Sequence, residues 1–189
     1  MQIRNSEDML LEEWKTVRGS LVPDGLADDA AYLASSLKIV FVMKETNGFD
    51  EGDLRDLLRN GGRPQTWTNI TRWLLGIRAL PADLPWSAVV SADVQRRRAM
   101  LRSIGAMNLK KSTGSHATVP VDLWRVAQED KRFLQRQYEM CDPELTFVVG
   151  PNWSRRIAEL NSTGVNRAVW LLTSAILRHA CTTACFIMD

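Results

Sequence analysis

Short continuous apolar runs alternate along this chain with longer stretches whose apolar residues recur every three or four positions. The first run is "LKIVFVM", Leu37 to Met43. Later ones are "SIGAMNLKK", "PELTFVVGPNW" and "ACFIMD". Each reads as a strand buried on both faces, and together they predict strands near 37–43, 103–109, 145–149 and 184–188. Between them the period is helical. Asn5 or Ser6 can cap a helix carrying Leu10, Leu11, Trp14 and Val17, which Gly19 can end. A short helix fits Ala27–Ser35. "DEGDLRDLLRNGG" reads as a helix that starts in Asp50, Glu51 and Asp53 and stops at Gly61 and Gly62. Thr66 can cap the next, with Trp67, Ile70, Trp73, Leu74 and Ile77 on one side. A basic helix is expected over Ser87–Arg102 and a long one over Val121–Met140. Two more are expected near Trp153–Leu160 and Asn166–His179.

Strands that alternate with helices imply an α/β fold: three layers, α/β/α, around a central parallel sheet of about four strands. The 189 residues fit a single domain spanning 1–189. In such sheets ligands sit outside the carboxyl ends of the strands. Those ends are polar here. Lys44, Glu45 and Asn47 follow the first strand, Asn108, Lys110 and Lys111 close the second, and Gly150, Asn152 and Trp153 follow the third.

Composition narrows the class. Hydrophobic residues are 45% and charged residues 24%, ordinary values for a globular protein. No apolar run reaches the roughly 18 residues of a membrane span. The start, "MQIRNSEDMLLEEW", is acidic and helix-like rather than a secretory signal, so a cytoplasmic location without membrane attachment is expected. Cys141, Cys181 and Cys185 form neither a disulfide framework nor a zinc signature, and no metal or other cofactor is expected.

Net charge is +2, but unevenly spread: residues 1–60 hold 7 basic and 12 acidic side chains, residues 61–189 hold 17 and 10. The densest basic stretch, "QRRRAMLRSIGAMNLKK", reads either as a solvated helix face or as a polyanion contact. No phosphate-binding glycine loop, dinucleotide fingerprint, nucleophile elbow or zincin helix is present. His179 ends a predicted helix, where a cation is favoured structurally. His116 lies in the polar loop "STGSHATVP" and reads as solvated rather than catalytic.

The order of these features resembles the uracil-DNA glycosylase superfamily. In its iron–sulfur and related classes the first strand ends in Gly-Glu-Ala-Pro-Gly, and "KETNG" occupies that place here. Glu45 then matches the motif's carboxylate and Gly48 its last glycine. The family's second strand ends in a base-reading asparagine, often followed closely by lysine; Asn108 in "MNLKK" matches it. "DPELTFVVG" matches a third strand that a proline precedes and a glycine ends. The likeness spans roughly residues 37–189 and is nearest to a bacterial branch whose first motif reads Lys-Glu-x-Asn. Lys44 and Asn47 stand where the usual motif has glycine and proline, and no cysteine precedes the first strand to hold a cluster. The family's His-Pro-Ser-like loop follows its fourth strand, whereas "ACFIMD" ends at Asp189. A chain cut short, or one lacking that loop, is therefore expected, with weak or absent catalysis.

The resemblance implies base-excision hydrolysis of an N-glycosidic bond in damaged DNA. The base would first be flipped from the stack. Glu45 would be catalytic, orienting water or stabilising a cationic sugar. Asn108 would read the base, since an amide donates and accepts at once. Lys44, Asn47 and Gly48 would complete the substrate pocket, and Arg97, Lys110, Lys111 and His116 would contact the nucleic acid. Two other classes stay open: a non-catalytic nucleic-acid-binding protein, and an enzyme on another phosphorylated, nucleotide-like substrate.

Overall fold

The computed structural model describes residues 3–49, 51–114, 118–149 and 168–172. Its main sheet contains β1 (Gly25–Leu26), β2 (Ile39–Met43), β4 (Ile104–Asn108), β6 (Leu145–Val149) and β7 (Ala168–Leu172), in the order β1-β4-β2-β6-β7. Only β1 is antiparallel, against β4; the other pairs are parallel. A second, two-stranded parallel pair joins β3 (Thr46–Asn47) to β5 (Thr113–Gly114). The fold is thus mixed α/β with a mostly parallel open sheet. No described helix is long and apolar enough to cross a membrane.

The apolar run of β2 divides by the strand's period of two. Val40 and Val42 join one core cluster with Leu10, Leu11 and Trp14 of α1 (Ile3–Arg18). Leu123 of α7 (Pro120–Glu129) and Phe133 and Leu134 of α8 (Lys131–Cys141) complete that side, where Trp14 and Phe133 stack at 5.1 Å. Ile39 and Phe41 join a second cluster with Leu58 of α3 (Leu54–Arg59), Trp67, Ile70 and Leu74 of α4 (Pro64–Ala79), and Leu101 of α6 (Val94–Arg102). The chain therefore leaves β2 toward the Phe41 side and leaves β4 toward the Val40 side. Two adjacent parallel strands whose exits diverge leave a crevice at their carboxyl ends.

Local chemistry sets the element ends. Asp28 caps α2 (Asp29–Leu33), Asp53 caps α3 and Asp93 caps α6, each carboxylate accepting a backbone N–H of the first turn. Gly19, at φ +76°, ends α1 by donating its N–H to Lys15 O. Thr66 does not cap α4: Pro64 opens that helix two residues earlier, where its missing N–H is not needed. The basic stretch is two helices, α5 (Trp86–Val90) and α6, because Asp93 starts a new helix. The long helix expected over Val121–Met140 is also two, meeting at Asp130.

Residues 168–172, expected within a helix over 166–179, form β7 and extend the sheet beside β6. A run of five apolar residues satisfies either period, and pairing with β6 decides it. The expected strand at 184–188 and helix at Trp153–Leu160 lie outside the described residues.

The edge strand β1 rests on a buried carboxylate. Glu7 of α1 is fully buried, and both its oxygens accept the Leu26 N–H at 3.3 Å. Gly25, at φ +133°, makes room for it, since a Cβ there would collide with the carboxylate. Burial pushes Glu7 up from the ordinary 4.5 to about 7, against the opposing pull of the Arg55 guanidinium 3.6 Å away. The folded protein therefore holds this proton more tightly than the unfolded chain does. The stabilisation is fully present below about pH 4.5 and is lost as pH rises through 7. Urea unfolding should show stability falling by roughly 3 kcal/mol across that window. Glu7→Gln should flatten the fall; a Glu7→Gln profile as steep as the parent's would remove Glu7 as its source.

Candidate functional site

The crevice lies where β2 and β4 end side by side, Met43 opposite Asn108. The pairing runs on past both strands: Leu109 and Lys110 donate their N–H groups to Met43 O and Lys44 O at 3.0 Å. This register brings Glu45 and Lys110 together. Lys110 Nζ donates to Glu45 Oε2 at 2.7 Å, and the Glu45 side chain is only 6% exposed. Gly114 is the floor beneath it, because a Cβ at 114 would collide with the Glu45 carboxylate carbon. The hydroxyls of Thr46 and Thr113 both donate to Phe49 O, at 2.9 and 3.2 Å, and fix the turn that carries the Phe49 ring.

Asn108 is held from behind. Asp24 Oδ2 accepts both the Asn108 backbone N–H, at 2.7 Å, and its side-chain Nδ2, at 3.0 Å. Asp24 Oδ1 accepts Lys111 Nζ at 2.5 Å and Gln137 Nε2 at 3.0 Å. Lys111 Nζ also donates to Gln137 Oε1 at 2.7 Å and sits 4.9 Å from the Trp14 ring centroid. Burial pushes the Lys111 ammonium below its ordinary value, and the Asp24 carboxylate opposes that shift. A carboxylate facing Asn108 decides which end of the amide it meets: the nitrogen. Among the described residues nothing else bonds the Asn108 Oδ1 or its second Nδ2 hydrogen.

Glu45 and Asn108 share one cavity of about 120 Å³. Its apolar walls are Met43, Phe49, Leu54, Leu57 and Trp67; Thr46, Arg63 and Thr66 add polar groups. Trp67 packs over Gly62, where a Cβ would collide with the indole. The Arg63 guanidinium lies 5.8 Å from the Phe49 ring centroid. For scale, a dry cavity of roughly 150 Å³ takes up one benzene molecule. This half-open cavity is therefore of a size to seat one planar ring.

No family model matches the chain, and neither a curated protein nor a solved structure matches it.

The residues singled out in the sequence separate into groups. Glu45 and Asn108 meet in the cavity, and Lys110 is bonded to Glu45. Lys44 is half-buried at the strand end; Asn47 pairs with Gly114 through β3 and β5. Gly48, at φ +59°, turns the chain away from β3, the left-handed backbone that glycine adopts without steric penalty.

Two cations expected to contact nucleic acid are instead interior. Arg97 is buried, its Nε donating to Gly61 O at 2.9 Å and its Nη1 to Ala92 O at 3.0 Å. Lys111 is buried on Asp24. Helix phase turns the middle arginine of "RRR" inward, and the Asp24 charge draws Lys111 in. His116, Gly150, Asn152 and Trp153 lie outside the described residues. Among the described residues no cluster of three histidine, cysteine or acidic side chains could hold a metal ion.

Asp24 and Gln137 were not singled out, and neither was Phe49. "VPDG" reads locally as a turn, and nothing near Asp24 in sequence signals partners 84 and 87 residues away.

Asp24→Ala would leave the Lys111 ammonium buried and unpaired. It should cost about 3–5 kcal/mol in denaturant unfolding. Adding Lys111→Met should recover a large part of that loss. Equal instability of the single and double variants would mean that the pair does not carry the strand end.

Proposed function

We propose that the cleft takes one nucleobase flipped out of damaged DNA, and that the protein hydrolyses its N-glycosidic bond as a uracil-DNA glycosylase-like enzyme of three-layer α/β/α build. The observation that carries this reading is the meeting of Glu45 and Asn108 in a ring-sized cavity at the diverging ends of β2 and β4. Uracil presents an N–H flanked by carbonyl oxygens. Asn108 Oδ1 can accept that N–H while the free Nδ2 hydrogen donates to a carbonyl. Asp24 fixes the amide in the orientation this requires. Phe49 and Trp67 supply apolar and aromatic surface to the ring.

Glu45 is the acidic group of the cavity. Breaking the glycosidic bond leaves positive charge on the sugar and negative charge on the departing base. A carboxylate held in place stabilises the first and orients the attacking water, which supplies the hydroxyl to the sugar carbon while its proton goes to the base. Lys110 fixes one carboxylate oxygen, and in this reading the other holds the water. Lys44, at the end of the same strand, is the cation nearest in sequence to receive a flanking phosphate.

The Lys110 ion pair also favours a second reading, in which the protein binds an extruded base without cleaving. Here Glu45 is neutralised by an ammonium at 2.7 Å and serves to shape the pocket.

Single-stranded oligonucleotides carrying one uracil, incubated and then treated to break abasic sites, test both. Slow release is expected. Glu45→Gln should reduce it by about a hundredfold or more, and Asn108→Ala should weaken binding of the uracil strand roughly tenfold. Binding that needs Asn108 with no release at any protein concentration would favour the second reading. Release unchanged in Glu45→Gln would contradict the catalytic assignment.

A further inference from the structure

Burial of Arg97 and Lys111 raises the question of what the rest of the basic segment does. Residues 61–102 hold seven arginines, no lysine, and only Asp83 and Asp93 as acids. Several described arginines elsewhere pair with carboxylates: Arg4 with Asp8 and Asp53, Arg18 with Glu129 and Asp130, Arg125 with Glu129, Arg136 with Glu13. Among the described residues, Arg72, Arg96, Arg98 and Arg102 have no such partner. Arg96 Nη1 donates to Ser91 O at 3.1 Å and to Ala88 O, Arg98 Nε to Asn60 O at 3.3 Å, and Arg72 Nη2 to Val90 O at 2.9 Å. Neutral carbonyls hold these guanidinium groups in place without cancelling their charge. Such cations lose little side-chain freedom when an anion arrives.

An aromatic ring sits among them. Trp86, which opens α5, is 43% exposed, with the Arg72 guanidinium 5.6 Å from its ring centroid. Buried Arg97 ties the segment down by bonding Gly61 on one side and Ala92 on the other. Gly61 leads directly into Gly62 and Trp67, the wall of the cleft. The arginine face and the cleft are therefore joined through one short turn.

We propose that the face around α5, with Trp86, Arg72 and Arg96, is a docking surface for single-stranded nucleic acid. Trp86 stacks on a base and the arginines take the phosphates. Arginine in place of lysine suits this partner, because the planar fork bonds phosphate oxygens in pairs and also stacks on rings. Exposed Leu84 and Val90 beside Trp86 raise the alternative of a membrane surface. At five residues, α5 is too short to present the amphipathic face that lies in a bilayer. The inference does not rest on the reaction proposed for the cleft.

Fluorescence anisotropy of a labelled thymine-only oligonucleotide on the full chain tests it, with salt varied between about 50 and 200 mM. Trp86→Ala should weaken binding about tenfold. Arg72→Gln with Arg96→Gln should weaken it and reduce the salt slope by about 1.4, the value for two lost phosphate contacts on a single strand. Circular dichroism confirms that each variant is folded. Arg125→Gln, on α7 at the opposite side of the sheet, should bind this strand as the parent does. Unchanged affinity in both face variants would overturn the proposal. Equal loss in Arg125→Gln would overturn it too, by showing that binding follows net charge and not this face. Tighter binding to phosphatidylcholine–phosphatidylserine vesicles than to the oligonucleotide, abolished in Trp86→Ala, would assign the face to membranes instead.

Discussion

The Asp24 carboxylate accepts four hydrogen bonds from three residues that lie far from it in sequence: two from Asn108, one from Lys111 and one from Gln137. None of this group is more than 3% exposed. Taking an ion out of water is penalised by several kcal/mol, and the penalty is offset only when geometry and partners are complete. The network therefore fixes the segment before β1, the end of β4 and the middle of α8 together. The orientation of the Asn108 amide follows from it. A neutral side chain at position 24 would leave the amide free to rotate, and the cavity would lose the defined sequence of donor and acceptor on which the proposed recognition depends.

Around that fixed point the topology makes the space. β2 and β4 are neighbours, yet their following helices pack on opposite sides of the sheet. Those helices diverge from the crevice between the two carboxyl ends. What lines it comes from the turn after β2, through Glu45, Thr46 and Phe49, and from the first turns of α4, through Arg63 and Trp67. Gly114 and Gly62 hold the walls close, one beneath Glu45 and the other beneath Trp67. The cavity is small because both approaches are backbone against side chain. That size matches a single ring.

Much of this is legible in the sequence, and what is not has identifiable causes. The three strands at 39–43, 104–108 and 145–149 lie within continuous apolar runs bounded by polar residues, the pattern of strands buried on both faces. Placing Glu45 beside Asn108 needed only the rule that parallel strands end on a common edge. The run at 168–172 was ambiguous because five apolar residues fit a buried helix as well as a strand. "QRRRAM" shows that a helix is basic but not which arginine faces inward. The structure turns Arg97 toward Gly61 and leaves Arg96 and Arg98 outside. Lys111 looked like surface charge because its counter-ion is 87 residues away. Long-range ion pairs leave no local pattern, so a buried lysine and an exposed one read alike.

The most direct test of the base-binding role proposed for the cleft is the nuclear magnetic resonance signal of the Asn108 side-chain amide in isotope-labelled protein. On addition of a single-stranded oligonucleotide containing uracil, the Asn108 Nδ2 protons and the Trp67 indole N–H should shift together. The same strand with thymine in place of uracil should shift them less. In the free protein the Asn108 proton bonded to Asp24 should exchange slowly with water. Shifts confined to residues outside the cleft, with the Asn108 amide and the Trp67 indole unmoved, would contradict the assignment of this cavity as the base-binding site.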